Sequence, residues 1–72
     1  MNGFQVIRNG QCIGTRHDRM SAMLAMNRAA WEEMVSVRRR RYAMDMKAGV
    51  CVVSNGDGSL VAEYRIVEVV PA

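Results

Sequence analysis

The residues of this chain that could do chemistry are few, and most stand in patterns that chemistry does not use. The single histidine, His17, adjoins Asp18. Together they offer two members of a nucleophilic triad, but triad partners meet through the fold rather than as chain neighbours, and no nucleophile is singled out beside them. Glu32 and Glu33 are also adjacent. On a helix such neighbours point about 100° apart, so they read as a solvated face and not as a paired acid and base. Asn55-Gly56-Asp57-Gly58-Ser59 begins like a calcium loop, but Ile66 stands at the twelfth position, where that loop needs a bidentate glutamate. The stretch reads as a turn. Cys12 and Cys51, the two cysteines, lack the CxxC or Cys/His spacing of a zinc site. No GxGxxG, phosphate loop or HExxH occurs. The expectation is therefore a protein that is not an enzyme, with no catalytic residue, no metal and no cofactor.

One cluster remains. Arg38, Arg39, Arg40 and Arg41 are consecutive and are followed by Tyr42. Such runs bind phosphate backbones by releasing counterions. They also dock on acidic protein surfaces and steer association. The bland alternative is a solvated charge run. Tyr42 is placed to stack on a base, although one aromatic is not a stacking platform. Arg16, Arg19 and Arg28 are further basic residues that join the contact if the fold brings them near.

With 72 residues the chain is one domain, residues 1–72. A domain of this size buries only about 60% of its unfolded surface, so its core is marginal and a partner or second copy helps it. A hydrophobic share of 50% argues against disorder. The net charge is +3, and Lys47 is the only basic residue that is not arginine. Two cysteines are too few for a disulfide scaffold and suit a reducing cytosol. No signal peptide and no run of about 18 apolar residues is present, which predicts a cytoplasmic protein with no membrane partner.

The elements that must carry these residues follow from turn chemistry and periodicity. Asn9-Gly10 is a strong two-residue turn signal and predicts a hairpin over 4–15, with Arg8 facing Gln11, Ile7 facing Cys12, Val6 facing Ile13 and Phe4 facing Thr15. Alternation puts Phe4, Val6 and Ile13 on one face, expected to be the core. A helix follows, with Asp18 or Ser21 as N-cap. Its stripe of Met20, Met23, Leu24, Asn27, Trp31, Met34 and Val35 is expected to pack on that face, with Ala22, Ala25, Ala29, Glu32 and Glu33 opposite. Met26, Met44 and Met46 fit the interior less readily and suit an adaptable contact surface. Lys47 and Gly49 suit a helix end. A second hairpin spans residues 50–70 around Asn55–Ser59, with Pro71 ending its last strand.

The arginine run strains that scheme. A helix from 19 to 48 would be roughly 45 Å long, against a diameter near 29 Å for a domain of this size. It would also lose its apolar face at Arg38. Three resolutions stand open. The helix breaks near Val35–Val37, where two β-branched residues flank a serine; or it projects and pairs with a second copy; or residues 40–47 form a strand, since Tyr42, Met44 and Met46 alternate with Ala43, Asp45 and Lys47. All three leave the arginines at an edge or junction. The fold class predicted is α+β: a small antiparallel sheet of two hairpins in β-β-α-β-β order, with one long or broken amphipathic helix on one face.

Two resemblances bear on function. Residues 4–34, "FQVIRNGQCIGTRHDRMSAMLAMNRAAWEEM", resemble the second half of a double-stranded-RNA-binding domain: two strands, a glycine and an alanine-rich helix. That family grips phosphate with paired lysines at the helix start, where this chain has Arg19-Met20-Ser21-Ala22; the family's first helix is missing and a hairpin follows. The hairpin "VIRNGQCIGTR", the Ala/Met-rich helix and the closing hairpin are similar, over most of the chain, to small phage-encoded anti-CRISPR proteins of type I systems. This resemblance implies a non-enzymatic inhibitor that binds a CRISPR surveillance complex and blocks target-DNA binding or nuclease recruitment, in the host cytoplasm. It transfers no residue roles. The expected function is thus an inhibitor or adaptor that binds a nucleic-acid-handling protein complex, or else a stand-alone DNA- or RNA-binding module using Arg38–Arg41.

Overall fold

The computed structural model describes residues 3–70. The elements run β1 (Gly3–Arg8), β2 (Gln11–Arg16), α1 (Arg19–Val35), β3 (Arg41–Asp45), β4 (Val50–Ser54) and β5 (Leu60–Val69). All strands join one antiparallel sheet in the order β2-β1-β5-β4-β3, with α1 across one face. The architecture is the expected α+β sheet with one helix. The third resolution of the arginine problem adds a strand: the helix breaks at Ser36, and residues 41–45 return as β3. Pro71 lies outside the described residues.

The first hairpin forms as its turn dictates. Asn9 and Gly10 both adopt positive φ, at 48° and 83°. Asn9 then mimics one more strand residue: its N–H donates to the Glu63 carbonyl and its Oδ1 accepts from the Glu63 N–H, each at 2.9 Å. The turn thereby fastens β1 to β5. Arg8 faces Gln11 and Ile7 faces Cys12 as expected, but the register then slips. Val6 faces Gly14 and Phe4 faces Arg16, leaving Ile13 in a bulge, half exposed and off the core face. A pairing argument built on strict alternation does not foresee that extra residue.

Asp18 is the N-cap: its Oδ1 accepts from the Ser21 N–H at 2.8 Å, and that bond holds the Asp18 carboxyl below its usual range. The helix, however, is rotated from the expected setting. Ala22, Met23, Met26 and Ala30 are buried against Val6, Cys51, Val53, Ala62 and Tyr64. Met20, Leu24, Trp31 and Val35, expected in the core, are 64, 63, 50 and 56% exposed. The sheet floor explains the choice. It already presents Tyr64, Val6 and Val53, with Phe4, Tyr42, Met44 and Ile66 around them. A helix face of alanines lets the backbone come close to that floor, and Met26 fills the gap that remains. Met26, expected to be a poor fit inside, is thus the largest fully buried side chain.

Gly49 has φ +69°, but it closes the β3–β4 turn and not a helix. Its N–H donates to the Asp45 carbonyl at 2.9 Å, and Asp45 Oδ1 accepts from the Ala48 N–H at 3.0 Å. Both cysteines are free thiols: Cys12 is exposed on the edge strand β2, and Cys51 is buried on β4, where burial pushes its thiol pKa up. No helix among the described residues is long and apolar enough to cross a membrane.

The rotation of α1 is directly testable. Met26→Ala is expected to cost about 2–5 kcal/mol in urea unfolding, the range for emptying a packed core position. A loss below about 1 kcal/mol would mean that Met26 is not the residue on which the helix rests.

Candidate functional site

The arginine run occupies the connection between the helix and the edge strand. Ser36 closes α1 in αR geometry, and its Oγ donates to the Glu33 carbonyl at 2.7 Å. Arg40 folds back under the helix end, donating from Nη1 to the same carbonyl at 2.9 Å and to Ser36 Oγ at 3.3 Å. A cation there meets the negative end of the helix dipole. Its Nε is buried without a partner among the described residues. Arg39 reverses the chain with φ +67°, a conformation costly for any residue with a Cβ. The turn rests on the β4–β5 loop: a Cβ at Gly56 would stand 3.0 Å from the Arg39 carbonyl oxygen and 3.2 Å from its Cβ. A side chain there would push Arg39 back by a few tenths of an ångström, so glycine suits that approach best.

The result is an open cleft lined by Arg38–Arg41 on one side and Asn55, Gly56 and Asp57 on the other. Arg38, Arg39 and Arg41 form no salt bridge among the described residues. Asp57 is the one anion in the wall. Ser59 donates to its Oδ1 from Oγ at 2.6 Å and from N–H at 2.9 Å, and these bonds keep its carboxyl below the ordinary range. Three free guanidinium groups therefore stand against one carboxylate turned to its own loop. Such a surface accepts a planar or tetrahedral anion in bidentate fashion.

The other residues expected at this contact are elsewhere. Tyr42 is half-buried against the core and meets Trp31 in a T-shaped contact, ring centroids 5.9 Å apart at 84°, so it is engaged within the fold. Arg16 is on β2, the opposite edge of the sheet from β3; its Nη1 donates to the Thr15 carbonyl at 2.9 Å. Arg19 lies at the far end of the helix and donates to the Met46 and Lys47 carbonyls at 2.8 and 3.1 Å, capping the β3–β4 turn. Arg28 pairs with Glu32 at 3.3 Å. The fold disperses these three rather than adding them to the run. Among the described residues no group of three or more His, Cys, Asp or Glu side chains is placed to hold a metal.

A polar centre that sequence reasoning missed lies beside the loop. Glu33, expected on the solvated face, turns to the sheet and is only 18% exposed at its side chain. Arg8 donates to it from Nε at 3.0 Å and from Nη2 at 2.5 Å, and the Tyr64 hydroxyl donates to the same carboxylate. Arg8 also lies over the Tyr64 ring, 6.0 Å from its centroid. The Arg8 bonds hold the Glu33 carboxyl below its usual range against the opposing effect of burial. Burial, followed by the bond to Glu33, raises Tyr64 and keeps it protonated. The signal available in the sequence was strand alternation: Arg8 follows Phe4 and Val6 on the helix-facing side, so it needs an anion from the helix. The carbonyl of Glu33 holds Arg40, which makes this residue the link between core and loop.

No protein-family model matches the chain, and no characterised protein or solved structure does. What the fold and the cleft define is a small α+β domain carrying a loop-mounted arginine cluster.

Two outcomes follow from this geometry. A carboxyl whose folded pKa is depressed contributes stability that is complete above its unfolded value, about 4.3, and is lost as pH falls through the lower folded value. Glu33→Gln is therefore expected to cost about 1–2 kcal/mol at pH 7, discounted for the exposure of Arg8. Urea titrations should show that difference shrinking below about pH 4; a difference independent of pH would mean the charge of Glu33 is not what matters. Second, Arg39→Gly is expected to raise stability by about 1 kcal/mol by releasing the positive-φ strain. A loss instead would show that the Arg39 side chain supports the turn.

Proposed function

We propose that the protein is a non-enzymatic inhibitor or adaptor whose Arg38–Arg41 loop docks on an acidic surface of a nucleic-acid-handling protein complex, in the manner of a phage anti-defence protein. The observation that carries this reading is that Arg38, Arg39 and Arg41 are left without salt bridges on a turn held in a strained conformation. Unpaired charge on a rigid, strained connection is a feature that folding alone does not select. The resemblance to small anti-CRISPR proteins of type I systems rests on element order; the hairpin followed by a helix fits it, while three strands rather than a single hairpin follow the helix.

Three details favour a protein surface over a nucleic-acid strand. Tyr42 is half-buried and already packed against Trp31, so the run has no freely exposed aromatic beside it. Arg16, Arg19 and Arg28 bond to partners away from the cleft, so the basic surface is compact and does not form a track. Asp57 stands in the cleft wall, where its charge opposes a continuous phosphate backbone. A compact set of arginines suits an acidic protein epitope, which is bounded, better than a polymer that extends past it.

The test uses a purified type I surveillance complex with labelled target DNA. Stoichiometric addition of the protein is expected to lower DNA binding or nuclease recruitment, and the double variant Arg38→Glu/Arg41→Glu to lose at least about tenfold in potency, while its thermal unfolding is unchanged. Free DNA and RNA are titrated in parallel. A shift of free nucleic acid at about 50 mM salt that vanishes by about 0.2 M would replace this reading with direct nucleic-acid binding.

A further inference from the structure

We infer that the exposed helix stripe of Met20, Leu24, Trp31 and Val35 is a homodimer interface, closed by a second copy of this chain packing its own α1 antiparallel across it. These four residues are between 50 and 64% exposed. They lie within about 60° of arc on the helix, roughly 140° round from the centre of the buried face. They form two apolar pairs, Met20 with Leu24 and Trp31 with Val35, on either side of Asn27 and Arg28, and an apolar patch of this size on a small domain is often an interaction site.

The spacing identifies the occupant. The intervals along the stripe are four, seven and four residues, which read the same from either end and are centred between Asn27 and Arg28. A two-fold axis at that centre sets Leu24 on Trp31 of the other copy and Met20 on its Val35. Such an isologous contact is what two-fold symmetry requires. Half-buried Asn27 falls beside the axis, where a side-chain amide can donate to and accept from its own symmetry mate. Arg28 arrives already paired with Glu32, so the two copies do not oppose bare cations at the centre.

Charge selects the antiparallel arrangement. A parallel pair would bring the two Arg38–Arg41 runs side by side. The antiparallel pair sends them to opposite ends and sets each near Asp18 of the other copy, an exposed carboxylate held ionised by its Ser21 bonds. Area agrees. The four residues expose roughly 450 Å² per copy, so their complete burial in a pair removes about 900 Å² from water, and the flanking Asn27 and Arg28 bring the total to about 1,000 Å², the lower limit for a specific interface. This inference stands whatever the arginine loop binds.

Sedimentation equilibrium of the full chain decides it. At about 100 µM, above the micromolar range such an interface supports, the wild type is expected at twice its 8.1 kDa mass. Leu24→Glu and Trp31→Glu are expected to be monomers with unchanged circular dichroism. Val67→Glu, on the open face of the sheet, is expected to remain dimeric. A wild-type monomer at that concentration overturns the proposal and leaves the stripe to a different chain; a dimer that Leu24→Glu leaves intact overturns it also. Orientation is read by oxidation in a Cys12→Ser background. Leu24→Cys/Trp31→Cys is expected to form an interchain disulfide and Leu24→Cys alone to form none. A disulfide formed by Leu24→Cys alone would mean a parallel pair, in which Leu24 meets Leu24 of the other copy.

Discussion

The rotation of the helix about its own axis is the setting on which the rest of this structure depends, and the Glu33 carboxylate marks it. Arg8 from β1 and Tyr64 from β5 both donate to that group, while the carbonyl of the same residue holds Arg40. A helix turned to bury Met20, Leu24 and Trp31 would carry Glu33 to solvent and leave Arg8 and Tyr64 facing the core without an acceptor. Leaving a buried donor unsatisfied costs about 1–3 kcal/mol, and more for a charged one. Volume pushes the same way, because a floor of Tyr64, Val6 and Val53 has room for two alanines and two flexible methionines but not for a row of bulkier side chains such as Trp31. Polar satisfaction and packing density together outweigh the larger apolar area that the other face would bury.

From that rotation the surface follows. The helix ends where Ser36 and Arg40 both donate to the Glu33 carbonyl, and the chain must reverse at once to join β4 as an edge strand. The reversal falls on Arg39, whose positive φ and contact with Gly56 hold the turn in place. Arg40 is consumed as a cap; its three neighbours are left outward. One run of four like charges thus contains two kinds of residue, one structural and three available, and nothing in the run itself tells them apart. Local conflict of this sort, a strained non-glycine turn beside an unpartnered buried Nε, is where binding surfaces are commonly found.

Much of the architecture was legible in order along the chain. Asn9-Gly10 specified its turn because both residues tolerate positive φ; Asp18 specified the helix start because its carboxylate reaches the Ser21 N–H. Residues 41–45 were legible as a strand by alternation, though a broken or projecting helix competed. The bulge at Ile13 was not legible, since a single extra residue leaves no mark in composition. The site was legible at the four arginines and misread around them. Tyr42 went inward to Trp31, Arg19 to the β3–β4 turn and Glu33 to the sheet, each drawn by a partner more than ten residues away in sequence.

The sequence by itself determined the first hairpin, the helix from Asp18, the closing strands and the location of the arginines at a junction, because each depends on interactions within a few residues, but left the element type of residues 41–45 open. Tertiary structure alone decided that β1 and β5 pair at the middle of the sheet, that the alanine face of the helix goes down, and that the most apolar stripe stays outside. Periodicity shows that a helix has an apolar side, but which side is buried depends on the shape and hydrogen-bonding needs of the surface beneath it. Here that surface came from strands at both ends of the chain, and it asked for small side chains and a carboxylate.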